Sequence, residues 1–270
     1  MKPAPGICGP RMKITNRHHP VVQACRSLAK ARGAPGAVLL DGEHLIAEAL
    51  GAGVRIHTLL ALPGVATTLV GRVRAAGAVV YEATAGVIEA ASPVRTPTGL
   101  VGVADWTPAG AAVVLRPAPC LAVGLVDVQD PGNVGAVIRA ADALGATGVV
   151  AIGRTADPGG WKALRGAMGS TFRIPVARSP LEDIPEACQA GVRIVATVAA
   201  GGPSLESARF EGPTLLLLGN EGAGLSDEAV AMADAAVTVP MRAGVNSINV
   251  AVTAALLLYE ARRQRSDRRR

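Results

Sequence analysis

Two short stretches carry residue types suited to chemistry on a bound molecule. The first is Gly219-Asn220-Glu221-Gly222-Ala223-Gly224. Its glycines tolerate positive φ and let backbone approach a ligand closely, and Glu221 places a carboxylate among them. The second is Asn246-Ser247-Ile248-Asn249, at the head of a strongly apolar run, Val250 to Tyr259. Two amides and a hydroxyl buried there without partners would be costly. One account is a helix N-cap, for which Ser and Asn are well suited. The other is that a helix start and its polar side chains converge on a bound molecule.

Each stretch needs an element to hold it. Leu215 to Leu218 is too short and too apolar for a surface helix and reads as a buried strand ending at the glycine loop. Ser226 with Asp227 and Glu228 reads as a helix start, and Ala236 to Val239 as a further strand ending in Pro240-Met241. Upstream, Leu121 to Val128 is a strand that runs into Gln129-Asp130-Pro131-Gly132-Asn133-Val134-Gly135. A helix over Ala136 to Leu144 follows, carrying Arg139 and closed by Gly145, and Gly148 to Ile152 is the next strand. Strand, glycine-containing loop and helix suit a nucleotide-like ligand. The spacing G-x-G-x-x-G is missing from both loops, which counts against a nicotinamide-dependent oxidoreductase. The remaining pattern is helix Trp161 to Met168, a strand after Arg173, helix Leu181 to Ala190 and strand Val192 to Ala199. Alternating strands and helices predict a parallel sheet covered on both faces.

Composition narrows the partner. The chain has 270 residues, half of them hydrophobic, with two Phe, two Trp and two Tyr, so its core is aliphatic. Scarce aromatics disfavour RNA binding by base stacking on aromatic platforms. The net charge is +6. Lys2, Arg11, Lys13, Arg17, Arg26, Lys30 and Arg32 precede the first acidic residue, and Arg262, Arg263, Arg265, Arg268, Arg269 and Arg270 crowd the other end. Two basic ends point to an anionic partner, most simply a nucleic acid. Cys8, Cys25, Cys120 and Cys188 are scattered without a C-x-x-C, which reads as reduced cysteines with no zinc site. Neither a signal-peptide core nor a membrane-length apolar run is present, so a cytoplasmic protein without a membrane partner is expected.

The first hundred residues form a second pattern. A tail over 1–12 precedes a helix in which Val21, Val22, Cys25, Leu28 and Ala29 share a face, the helical pattern starting at Ile14. Strands follow at Ala37–Leu40, Ile56–Ala61, Ala78–Tyr81 and Gly99–Ala104, with helices at Leu45–Leu50, Thr67–Ala76 and Ala85–Ala91. This predicts a small α/β domain over 13–108 and a proline-rich linker over 109–120. His18, His19 and His44 read as surface or RNA-facing, since no metal-ligand spacing surrounds them. Arg95-Thr96-Pro97-Thr98-Gly99 is either a phosphate-contacting loop or a plain turn.

Three stretches taken together, DPGNVGAVIRAADALGA (130–146), LLGNEGAGLS (217–226) and VPMRAGVNSINVAVTAALLLYEA (239–261), resemble the three ordered motifs of a known family. It is the SpoU/TrmH group of RNA 2'-O-ribose methyltransferases, within the SPOUT superfamily. LRGAMGSTFRIPV (164–176) is similar to the segment joining them, and residues 12–104 resemble the ribosomal-protein-like substrate-binding domain of many members, through TNRHHPVVQ and LLDGEHLIAEAL. Departures from the family are Asn expected near His19, Lys near Gln23 and Glu in place of Asp41.

The resemblance implies an α/β fold. A parallel-sheet SPOUT domain (121–264) with a deep trefoil knot would follow the RNA-binding domain, and a basic tail over 265–270 would end the chain. It implies S-adenosylmethionine as methyl donor, ribosomal RNA in preference to tRNA as substrate, and a homodimer with active sites built across the interface. Leu218, Gly219, Asn220, Gly222, Val239, Pro240, Met241, Ile248 and Asn249 fall at cofactor-binding positions, largely main-chain contacts. Asn133, Arg139, Glu221, Ser247 and Asn249 fall at positions linked to catalysis or substrate placement. The arginine equivalent to Arg139 has a proposed role as general base; a guanidinium is ill suited to accept a proton, and a phosphate clamp is the alternative. A non-catalytic RNA binder of the same fold would have lost polar residues from these motifs, and none is missing.

Overall fold

A computed structural model describes residues 12–30, 36–116, 119–188, 191–245 and 247–267. Residues 1–11 of the expected tail, Cys8 and Arg11 among them, Arg32, Asn246 and Arg268 to Arg270 lie outside the described residues. The chain divides into two compact units between Trp106 and Thr107.

The first unit comprises β1 (Met12–Ile14), α1 (Pro20–Lys30), β2 (Ala37–Asp41), α2 (Glu43–Gly51), β3 (Ile56–Ala61), α3 (Thr67–Ala75), β4 (Val79–Ala83), α4 (Ala85–Ala91) and β5 (Leu100–Asp105). The sheet order is β1-β4-β3-β5-β2, with β5 antiparallel to both its neighbours. Helix does not begin at Ile14 as expected: Met12–Ile14 pairs in parallel with Tyr81–Ala83. Asn16 turns the chain first, its side chain accepting from His18 N at 2.8 Å, and the helix waits for Pro20, whose fixed φ suits a first turn. Ile14, Val22, Cys25, Leu39, Leu60 and Val87 share one core on this sheet.

The second unit comprises α5 (Ala111–Leu115), β6 (Leu121–Val126), α6 (Pro131–Leu144), β7 (Gly148–Ile152), α7 (Trp161–Ala167), β8 (Val176–Ser179), α8 (Ile184–Ala187), β9 (Arg193–Thr197), β10 (Thr214–Leu218), α9 (Asp227–Ala231), β11 (Ala235–Val237) and α10 (Val250–Asp267). Its six strands are all parallel, in the order β11-β9-β10-β6-β7-β8. Parallel strands covered on both faces need apolar side chains on both, and every residue of β6, β7 and β10 is buried. Ala122, Val150, Leu215 and Leu217 share one core with α5, Ile184 and Ala229. Helices α6 and α10 pack on each other and against the central strands, and α7 packs on α6.

Two segments differ from expectation. The stretch read as linker holds α5, whose Val114 and Leu115 are fully buried, and Ala109 bridges Ala177 on edge strand β8. Alanine and valine between the prolines were enough to close that sheet edge. The helix expected over Leu181 to Ala190 is a single turn, Ile184–Ala187, with Pro185 in its first turn and Cys188 extended after it; residues 189 and 190 lie outside the described residues.

Local sequence explains how α6 is aimed. Asp130 caps it, its carboxylate accepting from Gly132 N at 2.6 Å, Pro131 opens it, and Gly145 at φ 81° ends it. It starts five residues before the expected Ala136 because that cap sits earlier. At Gly135 a Cβ would lie 2.2 Å from Ala163 O, so α6 and α7 approach backbone to backbone.

Candidate active site

The site lies at the carboxyl ends of β9, β10 and β11, where strand order reverses beside β6, the usual crevice of open α/β sheets. An open cleft of about 220 Å³ lies there. It is lined by the 218–224 loop, by Val239, Met241, Ser247 and Ile248, and by Val250 and Thr253 of α10. Among the expected cofactor residues, Leu218, Gly219, Asn220, Gly222, Val239, Met241 and Ile248 line it, and Pro240 and Asn249 do not.

The loop after β10 is closed on itself. Asn220 N donates to Gly224 O at 3.0 Å and Gly224 N returns to Asn220 O at 2.9 Å. The Asn220 side chain accepts from Gly222 N and Ala223 N, and donates to Asp127 O at the end of β6 at 3.0 Å. A Cβ on Gly219 would sit 2.2 Å from the Gly224 carbonyl carbon, so only glycine permits the closure. Asp127 holds a left-handed backbone, φ 56°, and its carboxylate accepts from Arg154 N at 2.6 Å, tying β7's end to the same place.

Three predicted residues meet through side chains. Asn133 Nδ2 donates to Glu221 Oε1 at 2.7 Å, and Asn249 Nδ2 donates to Asn133 Oδ1 at 2.9 Å. Asn249 Oδ1 accepts from Ala251 N at 2.8 Å, so this residue caps α10 while it joins the chain of amides. Glu221 therefore points at Asn133, and the first turns of α6 and α10 are held together at the cleft's rim. Ser247 is exposed and lines the cleft.

Arg139 stands apart. It lies six residues beyond Asn133 on α6, roughly 240° around the helix at about 100° per residue. Its side chain is exposed, and among the described residues it makes no hydrogen bond or ion pair. Within this one chain the fold does not bring it to the Asn133–Glu221–Asn249 chain.

Thr197, Val198 and Ala199 also line the cleft and were missed from sequence. Thr197 Oγ1 donates to Leu217 O at 2.6 Å. The carboxyl end of a strand flanking β10 was the available signal, and no unusual residue type marked it.

In the first unit, one sheet end collects the loops after β1, β2, β3 and β4 and the loop before β5. Arg17, His18, His44, Arg95, Thr96 and Thr98 are exposed on it. His19 is half-buried, its ring 5.9 Å from that of Tyr81, and its Nδ1 accepts from Val21 N. It packs and caps rather than pointing outward. The 92–99 loop is anchored by Ser92 Oγ donating to Asp41 at 2.5 Å and by Leu62 N donating to Gly99 O at 2.9 Å.

Comparison with known proteins agrees with both units. The family model described as the SpoU rRNA methylase family matches residues 120–259, and the MRM3-like substrate binding domain matches residues 20–102. The chain belongs to the SpoU rRNA methylase family. Among its relatives, an uncharacterized tRNA/rRNA methyltransferase of Synechocystis sp. is 31% identical over 93% of this chain and 93% of its own length. The 23S rRNA (guanosine(2553)-2'-O)-methyltransferase RlmP of Bacillus subtilis is 33% identical over 86% of this chain and 91% of its own. A solved structure of an AdoMet-bound rRNA methyltransferase from Sinorhizobium meliloti superposes with a TM-score of 0.83 at 33% identity, covering 93% of this chain and 97% of that one.

Proposed function

We propose that this chain transfers a methyl group from S-adenosylmethionine to a ribose 2'-hydroxyl of ribosomal RNA. The observation that carries this is the cleft at the carboxyl ends of β9 and β10, with the Glu221–Asn133–Asn249 chain on its rim, in a member of the SpoU family. The residues present suit the donor. Val239, Met241 and Ile248 offer apolar walls for a purine. The backbone of the 219–224 loop offers N–H and C=O groups beside glycines that leave it bare. Glu221 supplies a negative charge in a cleft that would receive a cation.

S-adenosylmethionine, when bound, supplies a methyl group on a positively charged sulfur. Asn133 and Asn249 fix the carboxylate of Glu221 and the first turns of two helices, so the reacting groups are held in register. Ser247 borders the space the donor's ribose or the RNA would enter. We assign Arg139 to an RNA phosphate and to the charge developing on the 2'-oxygen, because a guanidinium donates and does not accept protons near neutral pH. The displaced proton passes to solvent.

Arg139's distance around α6 supports a homodimer in which it serves the site of a second copy. On α10, Val252 and Tyr259 are 50% and 62% exposed, with Leu256 between them at 39%. Spaced i, i+4, i+7, they form an apolar stripe a second copy would cover. A trefoil knot suits the connectivity: β10 inserts beside β6, the chain leaves for edge strand β11, and α10 then returns to pack on α6 and β10. The exposed Arg17, His18 and Arg95 on one sheet end of the first unit suit RNA phosphate. A cytoplasmic site of action completes this reading, and no helix among the described residues is long and apolar enough to cross a membrane.

The test is methyl transfer from tritiated donor to purified ribosomal RNA and tRNA, followed by digestion to nucleosides. Label in a 2'-O-methylnucleoside of ribosomal RNA is expected. Label on a base would contradict the ribose assignment, and label in tRNA alone would replace the substrate.

A further inference from the structure

The first unit holds a second cavity, about 250 Å³, between α3 and the β1–β4 side of the sheet. Its walls are apolar, from Leu62, Val65, Val70 and Val80, and Arg74 and Glu82 add one charge of each sign. Thr67, Gly71 and Arg74, at i, i+4 and i+7 of α3, all line it, so one stripe of the helix faces the slot. Gly71 is the notable member. Glycine inside a helix costs roughly 1 kcal/mol against alanine. A Cβ built there meets nothing within 4 Å, so packing does not require glycine. What its absence of side chain preserves is the opening. The loop forming the slot's mouth turns through Gly64 and through Ala66, a non-glycine residue at φ 42°, a conformation held at some cost. That mouth is joined to the basic sheet end, because Leu62 N donates to Gly99 O at the foot of the 95–99 loop.

We propose that this slot takes a single unstacked nucleotide of the RNA substrate, its base between α3 and β4 and its phosphate on Arg74. This rests on the reading of RNA as substrate. Apolar walls suit a planar base rather than a bare anion. Glu82 adds a carboxylate to the lining, which disfavours a bare anion in the slot. Arg74 is exposed, and among the described residues its side chain makes no hydrogen bond or ion pair, leaving its fork for phosphate.

Two measurements on the full chain test it. In the first, guanosine 5'-monophosphate and ribose 5-phosphate are titrated separately and backbone NMR shifts are followed. The base-bearing nucleotide should move Val70, Gly71, Arg74 and Val80, and the base-less control should move Arg74 weakly or not at all. Equal shifts from both would reduce the site to a phosphate contact and overturn the proposal, as would no shift. In the second, Gly71→Leu fills the slot with a good helix former, and Arg74→Ala removes the phosphate partner. Each should raise KM for ribosomal RNA about tenfold, the worth of one bound base, with donor affinity unchanged and the melting temperature no lower than wild type. Wild-type KM in both variants would sink the slot while leaving methyl transfer standing. A nucleotide seated in the slot of a chain that methylates no RNA would do the reverse.

Discussion

Asn133 is the residue on which the site's geometry turns, since its side chain is bonded to both Glu221 and Asn249. Asn133→Ala should lower kcat on the order of 10²-fold, the scale of a misplacement near 1 Å, with donor affinity changed far less. Equal losses in donor binding and turnover would mean that Asn133 only holds the cleft open. Arg139→Ala should abolish methyl transfer while calorimetry still shows normal donor binding, because its side chain does not line the cleft. In a mixed dimer with an Asn133→Ala chain, one working site should reappear if Arg139 serves the neighbouring copy. Absence of any rescue would place Arg139 in its own chain's site.

At the scale of elements, the α6–α7 contact and the end of α10 set the site's frame. Gly135→Ala forces a methyl into a space where Ala163 O would lie at 2.2 Å. Overpacking of this kind costs about 1–3 kcal/mol, so the melting temperature should fall and the Asn133 end of α6 should shift. At the far end of α10, Arg265 donates to Phe210 O, Cys120 O and Gly212 O at 2.8, 2.9 and 2.6 Å. Arg265→Ala leaves those carbonyls without that donor and should destabilise by about 1–3 kcal/mol. The sequence reads Arg265 as the start of a basic tail, because it shows only the charge; the carbonyls it meets come from segments more than fifty residues away.

The same contrast runs through the chain. Strands such as β3 and β7 were legible because their apolar runs are short and bounded by turns. The glycine loop and the Asn-Ser-Ile-Asn junction stood out because their residue types are expensive without a reason. By contrast β1, at three residues, and α5, at five, are too short for periodicity to register. Thr197 to Ala199 are ordinary residues whose value comes only from lying beside β10.

For the whole molecule, two units imply a division of labour. Removing residues 1–106 should leave donor affinity intact and weaken selection among RNAs, and a folded truncation that no longer binds the donor would contradict this. Burial leaves its mark on pH behaviour as well. Desolvation pushes the Cys25 thiol up to about 12 from an ordinary 9.0. Well below pH 9 the thiol is neutral in folded and unfolded chains alike. As pH rises further the unfolded thiol ionises first, so stability should fall from pH 9 towards 12. The fall should be shallower in Cys25→Ala. Methyl transfer by this chain depends on what occupies the cleft beside β10. A crystal of the chain grown with S-adenosylmethionine should show the donor against the 218–224 loop, Val239, Met241 and Ile248, its methyl group directed toward the Asn133–Glu221 pair. Donor bound at any other place, with this cleft filled by the chain's own side chains, would contradict it.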